Sequence, residues 1–259
     1  MANPITAASG WQWFLEALRA LRAQPLALTG IVVFYILISG ILSGIPFVGT
    51  LAAGVWMPFG AVLVGFAARD ALAGKVPLYG TLTAAFRKPG LRLQLTAVGL
   101  LYAGYMEAMM LVFQLLAQDD LSKWVINDKG IDFASVTANF PLTGVIVTFV
   151  LYVPLLMATI FSPLLAADAG QTVGKSFFYS FFGVWRNLGA CLAALFLIGF
   201  LTAGAGFAAN ALFLALGIES YFAYAAPLIV VMLTTISQSM VWPMYRDIFG
   251  EKRLFDSLG

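Results

Sequence analysis

Six apolar runs, each close to 20 residues and separated by short polar stretches, limit this chain more than any other feature. They occupy approximately 26–45, 47–68, 95–117, 142–167, 188–212 and 228–245. At a rise of about 1.5 Å per residue, about 20 residues match a hydrocarbon core roughly 30 Å thick. Lipid offers no partner to backbone N–H and C=O groups, so each run must bond internally and is expected to be helical. The polar remainder is too small to clothe a soluble domain. Only 10% of the 259 residues are charged and 61% are hydrophobic, against about 25% charged in a typical soluble domain. The expected fold class is therefore all-α: a polytopic membrane protein with six transmembrane helices, forming one integral domain over 1–259. The fifth run is long enough to tilt or to break near Gly204-Ala205-Gly206.

Charge orders the spans. Twelve of the fourteen Lys and Arg residues fall on the side of the N-terminus, and only Lys123 and Lys129 fall on the other. Basic residues in short loops stay inside, so both termini are expected in the cytoplasm. The opening residues MANPITAASG lack a basic segment running into an apolar one; the first span is expected to serve as its own insertion signal. The largest loop of the opposite side, 118–141, is polar and acidic and reads as solvated; a partner-binding loop is the alternative, with no motif behind it.

Three stretches of the basic side share one grammar. Gly10 to Arg22, Gly74 to Arg87 and Gly174 to Arg186 are spaced by 12, 13 and 12 residues. In the first, Trp11, Phe14, Leu15, Leu18 and Leu21 recur at helical spacing opposite Gln12, Glu16 and Arg19. In the third, Phe177, Phe178, Phe181 and Trp185 oppose Ser176, Ser180 and Gly183. Such segments are expected to lie in the membrane surface as amphipathic helices, with the terminal arginine favoured by the helix dipole and by anionic lipid. Pro77 and Gly80 shorten the second copy. Each even span opens on a proline (Pro46, Pro141, Pro227) and each returns to an aspartate: Asp70, Asp168, Asp247. The expected unit is surface helix, span, loop, span, aspartate, repeated over about 10–73, 74–173 and 174–250. Each unit crosses twice, so the repeats are parallel and a pseudo-threefold axis along the membrane normal is expected.

That register disposes of a nucleotide motif. Ala169-Gly-Gln-Thr-Val-Gly-Lys-Ser176 fits a loose phosphate-binding loop, yet such a loop follows a strand and opens a helix. Here an apolar span precedes it, and Gly174-Lys175 takes the place of Gly74-Lys75 one unit earlier. No nucleotide is expected. Histidine is absent, which removes histidine acid–base chemistry, Ser-His and Cys-His nucleophiles and the usual zinc sites. The lone Cys191 excludes an intramolecular disulfide, and a net charge of +2 implies no nucleic-acid partner. No metal, cofactor or catalytic residue is expected.

Glu107, in LYAGYMEAMMLVFQ, is the acidic residue set well inside a span. An ionisable group there costs about 3 kcal/mol to insert and is a candidate site. Gln238 lies at similar depth in the sixth span and is its candidate partner; the alternative is a purely structural hydrogen bond to another helix. Asp70, Asp168 and Asp247 are a candidate ring at the cytoplasmic face with Lys75, Lys175 and Lys252, or else interfacial salt bridges and caps. Pro58, Pro154, Pro163 and Pro243 free backbone carbonyls within the even spans, for a path or for packing kinks. Gly40-Ile-Leu-Ser-Gly44 has the spacing of a close-contact face, a weak signal in so glycine-rich a chain.

GWQWFLEALRALRAQPLAL, IPFVGTLAAGVWMPFGAVLVGFAA and the FRKPG turn, all within the first ninety residues, resemble a proteobacterial family of six-helix inner-membrane proteins of unknown function. The resemblance implies a bacterial inner-membrane location and carries neither an activity nor functional residues. The expected function is a non-enzymatic membrane protein acting through membrane lipids, a membrane-protein partner or a homo-oligomer. The alternative is a small-solute or ion transporter using Glu107, and a third option is an enzyme acting on lipid headgroups.

Overall fold

A computed structural model describes residues 5–127 and 130–250. Twelve helices run in order: α1 (Ala7–Ala23), α2 (Pro25–Ser43), α3 (Gly49–Leu72), α4 (Tyr79–Ala84), α5 (Leu91–Leu121), α6 (Phe133–Ala138), α7 (Leu142–Thr159), α8 (Ser162–Ala167), α9 (Val173–Arg186), α10 (Leu188–Ala215), α11 (Phe222–Ser239) and α12 (Val241–Phe249). Six helices are long and apolar enough to cross a membrane: α2, α3, α5, α7 continued by α8, α10, and α11 continued by α12. The expected all-α, six-span fold is the observed one. Most boundaries agree to a few residues, but α5 extends beyond both expected ends, and α10 runs unbroken through Gly204 and Gly206. The sixth span begins earlier than expected, so Pro227 sits inside α11 rather than in its first turn, while Pro141 caps α7 and Pro46 lies in the turn before α3.

α3 is the central helix. It packs against α1, α2, α5, α8, α11 and α12, and 56% of its apolar window is buried against 11% for α2 and for α10. Glycine makes its crossing with α5. A Cβ on Gly54 would stand 2.6 Å from Ala103 Cβ, and one on Gly99 of α5 would stand 2.6 Å from Val55 Cα. Backbones can approach so closely only where both helices present almost no side chain, the small-residue contact that membrane helices use in place of a hydrophobic driving force.

The fourth and sixth spans break ahead of a proline. Pro163 has no N–H for the Thr159 carbonyl, and Ser162 Oγ donates to that carbonyl instead (3.2 Å). Two residues earlier, Ser180 of α9 enters the ladder itself. Its Oγ donates to Met157 C=O (2.7 Å) and accepts from Phe161 N–H (3.1 Å), the pair that an unbroken helix would join directly. A side chain inserted between i and i−4 is a recognised cause of a kink. Ser180 and Phe161 are fully buried, so water has no part in this bridge. The sixth span breaks at Met240, before Pro243. Pro58 and Pro154, by contrast, sit inside continuous helices, and Tyr105 Oη of α5 donates to the Leu151 carbonyl (2.9 Å) beside Pro154.

α1 turns an unexpected face to the protein, and α9 the expected one. α1 packs across α3, α10 and α11 and buries Gly10, Trp13, Ala17, Ala20 and Leu21, while Trp11 stays half exposed. Close approach to α10 selects the small residues over the bulkier stripe that periodicity suggests. α9 buries Ser176, Ser180 and Gly183 and leaves Phe178, Phe182 and Trp185 exposed, as the opposition of those two stripes implies. α4 is only six residues and starts after Pro77. The 118–141 loop is more structured than a solvated coil: β1 (Ile126–Asn127) pairs antiparallel with β2 (Gly130–Ile131), and Trp124 Nε1 donates to Asn139 C=O (3.0 Å). Its Asp128 and Lys129 lie outside the described residues, as do Lys252 and Arg253.

Candidate functional site

The three recurring aspartates sit where helices end, and each engages a different group. Asp247 of α12 accepts from Trp13 Nε1 of α1 (2.8 Å) and pairs with Arg246 (2.8 Å). Asp168, just after α8, accepts from Tyr245 Oη of α12 (3.0 Å). Asp70, at the end of α3, pairs with its neighbour Arg69 (3.0 Å). Arg69 in turn stacks over Phe66 (4.4 Å) and over Trp242 of α12 (5.6 Å). Arg246 completes the set with a bidentate pair to Glu16 of α1 (2.9 and 3.0 Å). Four residues of the short α12, Trp242, Tyr245, Arg246 and Asp247, thus fasten α1, α3 and the end of α8 together. Lys75 approaches Asp70 only through its backbone N–H, which donates to the Asp70 carbonyl (2.8 Å), and Lys175 lies exposed in the first turn of α9. Residues up to 234 apart in the chain meet here, and no local signal announces such a meeting.

Glu107 and Gln238 are not brought together. Glu107 lies near the middle of α5, exposed, on the helix side opposite Val98 and one turn beyond the buried Ala103. Gln238 is half-buried at the end of α11, beside the break at Met240. α5 packs on α3, α7, α8 and α9, while α11 packs on α1, α2, α3, α10 and α12, so α3 lies against both. Among the described residues neither side chain has a hydrogen-bond or ion-pair partner. Gln114, one heptad beyond Glu107, is exposed on the same face of α5, a spacing visible in the sequence but overlooked when Glu107 is paired across the bundle.

Among the described residues the surface carries a groove and a hollow. A groove of about 520 Å³ runs between α5, α7 and α9, lined by Leu101, Tyr105, Pro154, Ala158, Phe178 and Phe182. A smaller hollow of about 370 Å³ is formed by the turn from Phe86 to Arg92, with Arg87, Lys88 and Arg92 around it. Lys88 Nζ donates to Ala167 C=O (2.7 Å) and Arg92 Nε to Phe86 C=O (2.9 Å), which holds that turn against α8. Neither concavity reaches Glu107. The segment resembling a phosphate-binding loop joins α8 to α9, with Gly170 at φ 65° and Thr172 capping α9, so a helix precedes it where nucleotide sites have a strand.

Over nearly its whole length the chain is similar to a probable inner membrane protein of Burkholderia thailandensis. The two are 29% identical over 254 residues, 95% of this chain and 93% of that protein. Taken with six helices of membrane-spanning length, this gives the location. The chain is a multi-pass helical protein of the inner membrane. No family model matches it, and no solved structure matches it.

Proposed function

We propose that the protein is a non-enzymatic component of the bacterial inner membrane that acts through lateral contacts with lipid and with protein, taking no nucleotide or cofactor. The observation that carries this reading is the placement of Glu107: the deeply set carboxyl faces outward from the bundle, where a neighbour in the membrane can meet it. The exposed aromatic face of α9 and the basic hollow at Phe86–Arg92 support lipid contact, since aromatic rings and cations favour the headgroup layer. In this reading both termini are cytoplasmic, as the twelve-to-two split of basic residues requires. The order short helix, span, span occurs as α1-α2-α3, α4-α5-α7 and α9-α10-α11. The short helix of each set leans on the second span of the set before it, cyclically: α4 on α3, α9 on α7 and α1 on α11. That pattern supports a parallel threefold repeat, tested by superimposing the three hairpins of an experimental structure.

The second reading is a transporter that uses Glu107. The breaks in the fourth and sixth spans favour it, because discontinuous helices form the substrate sites of many transporters. Reconstitution decides between the two. Purified protein in sealed liposomes is expected to move no ion or small solute above empty vesicles; a specific flux abolished by Glu107→Gln refutes the contact reading and establishes the transporter.

A further inference from the structure

Three of the chain's fourteen cationic side chains, Arg87, Lys88 and Arg92, fall within the six positions 87–92, where the chain turns into α5. Over the same length, the turns from α1 into α2 and from α9 into α10 carry one each, Arg22 and Arg186. The extra charge surrounds the hollow of about 370 Å³ between Phe86 and Arg92. The fold holds two of these cations in place. Lys88 Nζ donates to the Ala167 carbonyl and Arg92 Nε to the Phe86 carbonyl. The terminal N–H groups of Arg92 and the whole Arg87 guanidinium are left without a partner among the described residues, and none of the three cations makes an ion pair there. Gly90, at φ 77°, turns the chain into α5, and no side chain caps that helix end, so its backbone dipoles add to the positive potential of the hollow.

We propose that this hollow holds a phosphate group, and that the phosphate is the headgroup of an anionic phospholipid in the leaflet on the basic side. The inference rests on the contact reading above and names a ligand for it. Charge selects an anion. Two guanidinium forks and an ammonium, with no carboxylate in ion-pair reach, suit phosphate oxygens, which arginine binds two at a time. The same excess of positive charge disfavours a zwitterionic headgroup, whose ammonium would enter the hollow with its phosphate. Position selects a lipid. The third span begins at Leu91, so the turn before it lies at the level of the headgroups. Leu93, the residue after Arg92, and Leu100, one heptad deeper on the same face of α5, are 75% and 46% exposed. They give the acyl chains of a bound lipid an apolar path away from the hollow, from which a free phosphate would gain nothing.

The test uses the full chain purified in detergent, with bound lipid counted by native mass spectrometry during titration. Dioleoylphosphatidylglycerol is expected to bind about tenfold more tightly than dioleoylphosphatidylethanolamine. Arg87→Glu changes a side chain that the fold does not use and is expected to weaken phosphatidylglycerol binding about tenfold. Lys175→Glu, the same charge change at an exposed residue of α9, should weaken it by no more than about twofold. A second measurement needs no charge variant: a photoreactive residue at position 93 in native membranes is expected to capture phospholipid. Equal weakening by the two substitutions, equal binding of the two lipids, or capture of a protein from position 93 overturns the site while leaving the contact reading intact. Inorganic phosphate that displaces phosphatidylglycerol at equal concentration shows that the hollow takes the free ion, and overturns the lipid assignment. Solute flux in the liposome assay above overturns the contact reading alone.

Discussion

Replacing Ser180 by alanine isolates the joint between α9 and the broken fourth span. The substitution removes one oxygen from a fully buried position and adds no bulk. It deprives two backbone groups at once, the Met157 carbonyl and the Phe161 N–H, held at 2.7 and 3.1 Å. Leaving a buried polar group unsatisfied costs about 1–3 kcal/mol. Two such groups bring the expected loss to about 3 kcal/mol, allowing for partial relaxation of the kink. For a chain of this size each kcal/mol lowers Tm by roughly 2–4 °C, so a fall of roughly 6–12 °C is expected in detergent-solubilised protein, followed by intrinsic tryptophan fluorescence. Ser176→Ala is the control: Ser176 is equally buried but makes one long bond, to the Gln171 carbonyl (3.3 Å), and should lower Tm by no more than a third as much. A Ser180→Ala protein melting within about 1 °C of the parent refutes the account, because the Met157–Phe161 pair must then close on its own and the hydroxyl is not what holds the break open.

Other expectations follow from the same packing. Gly99→Ala puts a methyl 2.6 Å from Val55 Cα and 2.8 Å from Gly54 C=O; the overpacked α3–α5 crossing should destabilise by about 1–3 kcal/mol, read as a lower Tm in detergent. Trp13→Phe removes the N–H bonded to Asp247 and, at a fully buried site, part of the ring volume as well; a loss of at least about 1.5–3 kcal/mol is expected from the bond to a charged acceptor, with a cavity cost added, and no loss would show that α12 is held by the Arg246–Glu16 pair without it. A cysteine at Lys123, labelled by a membrane-impermeant maleimide in a Cys191→Ser background, should react from the periplasmic side of intact spheroplasts. Labelling only after the membrane is opened would reverse the threading of all six spans.

The spans were legible because a bilayer imposes its demand locally: a helix must be apolar over its own length, whatever its neighbours are. The same holds for Pro77, which delays α4 until Tyr79, and for the two stripes of α9, which differ enough in size and polarity to show which faces protein. The inward face of α1 was not legible, since Trp13, Ala17 and Ala20 are no more apolar than the Phe14 and Leu18 beside them and only the approach of α10 chooses between them.

By itself, then, the amino-acid order determined how many times the chain crosses, where each crossing begins and ends to within one or two turns, and the uneven distribution of its cations. Those properties depend on solvent transfer, which each segment feels alone. Tertiary structure decided the rest: that Ser180 mends the fourth span, that Asp168 meets α12 and Asp247 meets α1, and that Glu107 lies exposed on α5. These are matters of which helix lies beside which. Helices in lipid choose their neighbours by close packing and scattered hydrogen bonds between segments far apart in the chain, so hydropathy alone cannot rank the arrangements.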